Sequence, residues 1–173
     1  MSTRVIEVVD FDPNWSYLFE TEKALIQKLF KNEEEPVIHH VGSTSVPGLC
    51  AKPVIDILME VQCLDDLDNK AHQFSALGYE VLGEYGLPGR RYLQKGGNQR
   101  SHHIHAWETG NSEIQRHLAF RDYLRASPAI AKEYAEIKKA AARNCENDVR
   151  KYAAHKNSFI KEIERMALEY HNS

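Results

Sequence analysis

The chain has 173 residues, 42% of them hydrophobic, and a formal net charge of −3. That is enough for one core, while the absence of any run of ~18 apolar residues argues against a membrane-spanning helix. With no bulk positive charge to attract a polyanion, a nucleic-acid partner is not expected. Cys50, Cys63 and Cys145 are scattered, without Cys-x-x-Cys spacing, and the start of the chain carries no apolar signal core. The expectation is therefore free buried thiols in a reducing cytoplasm. Residues 111–173 hold 12 basic against 9 acidic side chains and the remainder 10 against 16. A basic C-terminal part either lines a phosphate pocket or is solvated helix surface, and the counts alone favour the second.

Arg4 to Val9 reads as a short strand. Asp12 is placed as an N-cap with Pro13 at the first helical position, and the helix that follows sets Trp15, Leu18, Phe19, Leu25, Ile26 and Leu29 on one face. Pro36–Val41 is a strand, and Gly42–Pro53 is a loop dense in Gly, Ser, Thr and Pro. Val54–Val61 has the β-branched and aliphatic content of a buried strand. A helix over Asp65–Leu77 ends at Gly78. Strands are predicted over Tyr79–Glu84, Arg90–Lys95 and Ser101–Glu108, with Gly-rich turns between them. From Asn111 onward the chain reads as helical: one helix capped by Asn111 or Ser112 and running to Arg125, one from Ser127-Pro128 to about Cys145, and one capped by Asp148 and reaching about Tyr170. The prediction is one α+β domain, residues 1–110 forming a mixed sheet with helices mainly on one face and 111–173 a C-terminal helical layer.

The chemistry concentrates at Gly42-Ser43-Thr44-Ser45 and at Asp56. A small-residue loop offers N–H and O–H donors to phosphate oxygens, and a strand-borne carboxylate beside it offers a hard oxygen to a divalent cation. The loop is not a Walker P-loop, since the Gly-Lys-[Ser/Thr] ending is absent. On the strand, Ile55, Ile57, Met59 and Val61 share the face that would meet the helices, which leaves Asp56 on the other. His103 and His105 share one face of their strand, ~6.6 Å apart. If that strand lies beside Asp56, the three converge on a two-His, one-carboxylate metal site, which prefers Mn, Fe, Zn or Ni over Mg. The alternatives are direct anion binding by the imidazoles, or neither. His102 points the other way.

These motifs resemble a known family. Gly42-Ser43-Thr44-Ser45-Val46-Pro47-Gly48-Leu49, followed by Ala51-Lys52-Pro53 and Ile55-Asp56-Ile57, is similar to the core motif of the GrpB family, usually placed in the nucleotidyltransferase superfamily. Asp12-Pro13-x-Trp15, Gly89-Arg90-Arg91-Tyr92, His103-x-His105, the run from His117 to Arg125, and Lys156-x-x-Phe159-Ile160 extend the resemblance nearly end to end. It implies a nucleotidyltransferase-like fold in which Gly42 allows close backbone approach and Ser43 donates to phosphate, with Thr44 and Ser45 completing the loop. Lys52, Arg91, Arg121 and Lys156 fall at motif positions and are the basic residues chosen to neutralise the phosphates, although for any one of them a surface ion pair is the plainer alternative. Lys156 also interrupts the apolar stripe of the last helix, so its ammonium is expected to point inward. The resemblance departs at position 58, where the second carboxylate of Asp-x-Asp would stand and the chain has Leu58, and at His39, where the family more often has Glu. Glu60 shares the face of Asp56 but lies ~13 Å along the strand, too far to share one ion with it. This argues against a two-metal geometry.

The expected function is that of a metal-dependent nucleotidyltransferase, with Mg or Mn as cofactor, Zn as an alternative, and a nucleoside triphosphate or other phosphate-bearing small molecule as ligand. The alternatives are a catalytically degenerate nucleotide-binding module, for which Leu58→Asp would be the test, and a Mn- or Zn-dependent phosphoester hydrolase using Asp56, His103 and His105.

Overall fold

Alternation along a single strand sets the architecture. In the computed structural model, which describes residues 7–31, 34–144 and 148–172, Ile55, Ile57, Met59 and Val61 of strand β2 (Ile55–Val61) are all buried. They pack against Trp15, Phe19 and Ile26 of α1 (Asn14–Leu29), Leu67 of α2 (Leu64–Asp68) and Phe74 of α3 (Ala71–Ala76). Each such side chain taken fully from water contributes about 1.5–3 kcal/mol, so this face is the main source of stability.

The described sheet has the order β1-β2-β5-β4-β3, with β1 Val37–Val41, β3 Tyr79–Val81, β4 Arg91–Lys95 and β5 His102–Glu108. Only the central pair, β2 with β5, is parallel. A parallel pair needs a long crossover, here supplied by α2, α3 and the β3–β4 hairpin. The register of the pair sets Asp56 opposite His103.

The remaining helices, α4 (Ser112–Ala126), α5 (Pro128–Asn144) and α6 (Val149–Asn172), form the C-terminal layer. Asn111 Oδ1 accepts the Glu113 N–H at 2.9 Å and Asp148 Oδ1 the Arg150 N–H at 2.8 Å, so both helices start on capping side chains. Ile114 and Leu118 of α4 cover Val41, Leu58 and Trp107 on the second face of the sheet. Leu124, Tyr134 and Ile163 close over Val46 and Leu49 of the loop after β1. The result is the expected α+β arrangement: a mixed sheet, α1–α3 on one face, and a helical layer reaching over the other.

Local expectations differ in places. The helix expected over 65–77 is two short ones, broken at Asn69-Lys70, so that Leu67 and Phe74 both enter the core while the buried Lys70 sets its ammonium over the Phe30 ring at 5.1 Å. Leu18 is 40% exposed, at the edge of the α1 stripe. Val9 pairs with Ala51 as an isolated bridge; the rest of the strand expected from Arg4 lies mostly outside the described residues, as does Cys145. Cys50 is buried and Cys63 only half-buried, both as free thiols.

Candidate metal centre and its cleft

Gly42 leaves β1 with φ +73°, a conformation open to glycine and strained for other residues. A Cβ at this position would stand 2.5 Å from Asp56 Oδ2, so the turn's backbone lies directly against the carboxylate. The Ser45 N–H and hydroxyl both donate to the Gly42 carbonyl, and the Thr44 hydroxyl lies 2.9 Å from His40 Nε2. Thr44 and Ser45 are buried and use their hydroxyls to close the turn. Ser43 borders the cleft together with Tyr134.

Asp56 points away from the main core, its side chain 32% exposed, with Oδ1 at 3.5 Å from His103 Nδ1 and 3.7 Å from His105 Nε2. One ligand atom from each of the three lies within 4.8 Å of the others. The separations are long for hydrogen bonds, but close to the ~3.4 Å edge of a tetrahedron around an ion with ~2.1 Å bonds. His103 Nε2 is buried with no hydrogen-bond partner among the described residues. The donor set fits a divalent cation of imidazole-tolerant type. Burial on its own would raise the Asp56 carboxyl, but the imidazoles of His103 and His105 outweigh it and hold the group well below the usual carboxylate range. Tyr92 packs against both histidine rings, at 5.7 and 5.4 Å between centroids, and His117 lies 5.4 Å from His105 on the other side.

Two adjoining cavities meet at Gly42, Asp56, Phe120 and Tyr134. One, of about 160 Å³, is edged by Ser43, Lys52, Lys138 and Tyr152 and is cationic. The other, of about 190 Å³, is edged by His105, His117, Ile160 and the Arg116–Glu164 ion pair, 2.8 Å apart, which ties α4 to α6. Burial, with the positive field of Arg116 and its neighbours, pushes His117 down to about 3, so its ring is neutral.

The other residues singled out in the sequence divide. Lys52 lines the cationic cavity, with its ammonium 4.8 Å from the Tyr152 ring centroid. Arg91 does not reach the cleft: it shares the core face with Leu93 and pairs with Asp68 at 2.8 Å. Arg121 Nη1 donates to the His40 carbonyl at 3.2 Å and its Nε to Asp122 at 2.9 Å, bracing the end of β1 from behind. Arg125 braces the turn similarly, donating to the Ser45 carbonyl at 3.0 Å. The Lys156 side chain lies outside the described residues. Glu60 is held by His39 at 2.6 Å, away from Asp56. Leu58 is wholly buried beside Val41, Trp107 and Ile114. Leu58→Asp would therefore bury a carboxylate in an apolar cluster, which makes it a test of stability and not of a degenerate site.

Sequence reasoning missed Lys138, which is 2% exposed, lines the cationic cavity and donates to the Cys50 carbonyl at 3.1 Å. The signal was present: Ala131, Tyr134, Lys138 and Ala141 form one buried row of α5 at helical spacing, with a single cation in it. Tyr134 carried no comparable mark, since it also reads as ordinary core, and His117 was marked only as the start of the run to Arg125 that carries the resemblance.

A mixed sheet that sets a Gly-Ser turn against a strand-borne carboxylate, with imidazoles from the parallel neighbour, defines an α+β protein with a candidate divalent-metal centre. The chain belongs to the GrpB family, whose model, described as GrpB protein, matches residues 5–166. It is 45% identical to protein YqkA of Bacillus subtilis over 96% of its own length and spans 48% of that relative. The crystal structure of conserved protein GrpB from Enterococcus faecalis superposes with a TM-score of 0.91 at 43% identity, covering 96% of this chain and 100% of that one. Chains of the Cid1 poly(U) polymerase overlay far more loosely, at 12% identity and a TM-score of 0.47 over 76% of this chain and 45% of theirs, and carry no activity across.

Proposed function

We propose that this chain is a divalent-metal-dependent nucleotidyltransferase, a single folded unit working in the cytoplasm, that holds a nucleoside triphosphate between the Gly42–Ser43 turn and the C-terminal helical layer. The observation that carries the reading is the convergence of Asp56, His103 and His105 beside the backbone of Gly42. Asp56 and the two imidazoles would hold the cation, which when bound supplies positive charge against phosphate oxygens. Ser43 and the turn's backbone orient the phosphates, and Lys52 and Lys138 neutralise their far end. Positioning and charge neutralisation are most of what phosphoryl transfer asks of a protein. The test is thermal shift with a panel of nucleoside triphosphates, with Mn, Mg or no metal, on wild type and Asp56→Asn. At ~100 times its dissociation constant a ligand stabilises by ~2.7 kcal/mol. A metal-dependent shift in the wild type that the variant lacks is the expected result; no shift with any nucleotide would overturn the reading.

A second reading, a Mn- or Zn-dependent phosphoester hydrolase, is favoured by one observation: two of the three ligands are imidazoles and the place of a second carboxylate is filled by buried Leu58. Bound Mn or Zn in protein purified without added metal, together with phosphodiester turnover and no nucleotide shift, decides for it.

A further inference from the structure

On the side of the centre away from the phosphate turn, the loop between β3 and β4 holds an exposed aromatic ring in a costly conformation. Tyr85 is the one described non-glycine residue with positive φ, at +49°. A tyrosine in this region costs on the order of 1 kcal/mol, and such strain persists where the surroundings over-determine it. Here they do: Arg90 Nη2 donates to the Tyr85 carbonyl at 2.7 Å and Arg90 Nε to the Glu84 carbonyl at 3.1 Å, while Glu84 Oε2 accepts the Gly89 N–H at 2.6 Å. The ring of Tyr85 is stacked on Tyr92, with centroids 5.0 Å apart and planes 9° apart, and Tyr92 in turn leans on His103 and His105. One face of Tyr85 is thereby covered, yet the residue remains 60% exposed. The β-strand order puts this ladder on the β4 side of His103, and the Gly42–Ser43 turn on the β1 side of Asp56.

We infer that Tyr85 is a stacking platform for the acceptor, and that the acceptor carries a planar ring of nucleobase type which lies on the outer face of Tyr85. This rests on the transferase reading above, which leaves the acceptor open. A ring on this ladder stands across the metal centre from the phosphates, the disposition that joining two ligands requires, and it needs no charge on the acceptor because stacking is indifferent to base identity.

The test uses adenosine, which has a planar ring and no phosphate, and inorganic tripolyphosphate with Mn, which has phosphates and no ring. Both are titrated into wild type, Tyr85→Gly and Tyr85→Phe. Tyr85→Gly removes the ring and relieves the backbone strain, so that variant folds. Loss of one stacked base contact corresponds to an affinity loss of roughly 5- to 150-fold. The expected result is that loss for adenosine in Tyr85→Gly, near wild-type affinity in Tyr85→Phe, and tripolyphosphate binding unchanged in all three. Adenosine binding that is equal in wild type and Tyr85→Gly, or no adenosine binding by the wild type, overturns the inference. The transferase reading fails separately, if wild-type protein with Mn binds no tripolyphosphate.

Discussion

Each face of the sheet carries a carboxylate with a histidine of β5 beside it, and the two clusters behave in opposite ways. On the helix-covered face, Glu22 of α1 is 4% exposed, accepts the Tyr79 hydroxyl at 2.8 Å and pairs with Lys95 at 3.1 Å, with His102 at 3.7 Å. Its oxygens are satisfied by short contacts, and burial together with the negative charge of Glu22 pushes the Tyr79 phenol far up. On the other face, Asp56 has, among the described residues, only its long approaches to His103 and His105 as side-chain partners, and it opens to a cleft. A carboxylate saturated by a phenol and an ammonium is a packing device. One ringed by loosely placed imidazoles has room for an ion, and the neighbouring residues His102 and His103 fall in different clusters because they alternate across one strand.

The largest expected effect tests the closed cluster. Glu22→Ala leaves the Tyr79 hydroxyl and part of Lys95 without their acceptor, and should cost about 3 kcal/mol of stability by urea unfolding with no change in Mn or Zn affinity. Asp56→Asn is the reverse. It should weaken Mn binding by calorimetry at least ~100-fold, about 2.7 kcal/mol, while the metal-free protein stays folded. If Asp56→Asn instead unfolds the protein and Glu22→Ala does not, the assignment of the two faces is inverted.

Acid sharpens the same contrast. His40, stacked on Phe19 at 4.8 Å, is pushed down to about 4 by burial and by Arg125 and Arg121, against the pull of Asp56, and His117 is pushed down to about 3. Both folded values lie below the ordinary 6.5. Between those limits the unfolded chain binds the protons that the native state refuses, so stability is full above the ordinary value and falls with pH through the window. The expected slope is about 1.4 kcal/mol per pH unit for each histidine. A urea midpoint that stays flat between pH 6.5 and 4.5 would count against it, and His40→Gln should reduce the slope. The smallest effect is at Arg91, whose pair with Asp68 is partly exposed. Arg91→Ala should cost under about 1 kcal/mol and leave triphosphate binding intact, whereas Lys138→Met should weaken it.

Much of this was legible before the fold. The period-2 pattern separated Asp56 from Ile55, Ile57 and Met59, because successive strand side chains must take opposite faces. The same rule paired His103 with His105 and excluded His102. The Gly42–Ser45 turn announced itself through residues that tolerate tight backbone, and the cap at Asp148 through a side chain that satisfies free N–H groups; between Asn111 and Ser112 the structure chose Asn111. What alternation does not state is which strand lies alongside which, or which of two faces is open. The parallel register that brings Asp56 to His103 joins residues 47 apart in the chain, and only the packed core decides it. Arg91 shows the limit. Its phase with Leu93 was readable, but that Leu93 faces α1–α3, which turns Arg91 to Asp68 and away from the cleft, was not. Lys138, His117 and the Arg116–Glu164 pair reach the site from helices whose docking depends on contacts distant in sequence. Local chemistry thus determined the strand, the turn and the candidate ligands, and tertiary packing decided which of them meet, because a strand's own pattern sets only its internal phase and its neighbours are chosen by long-range burial.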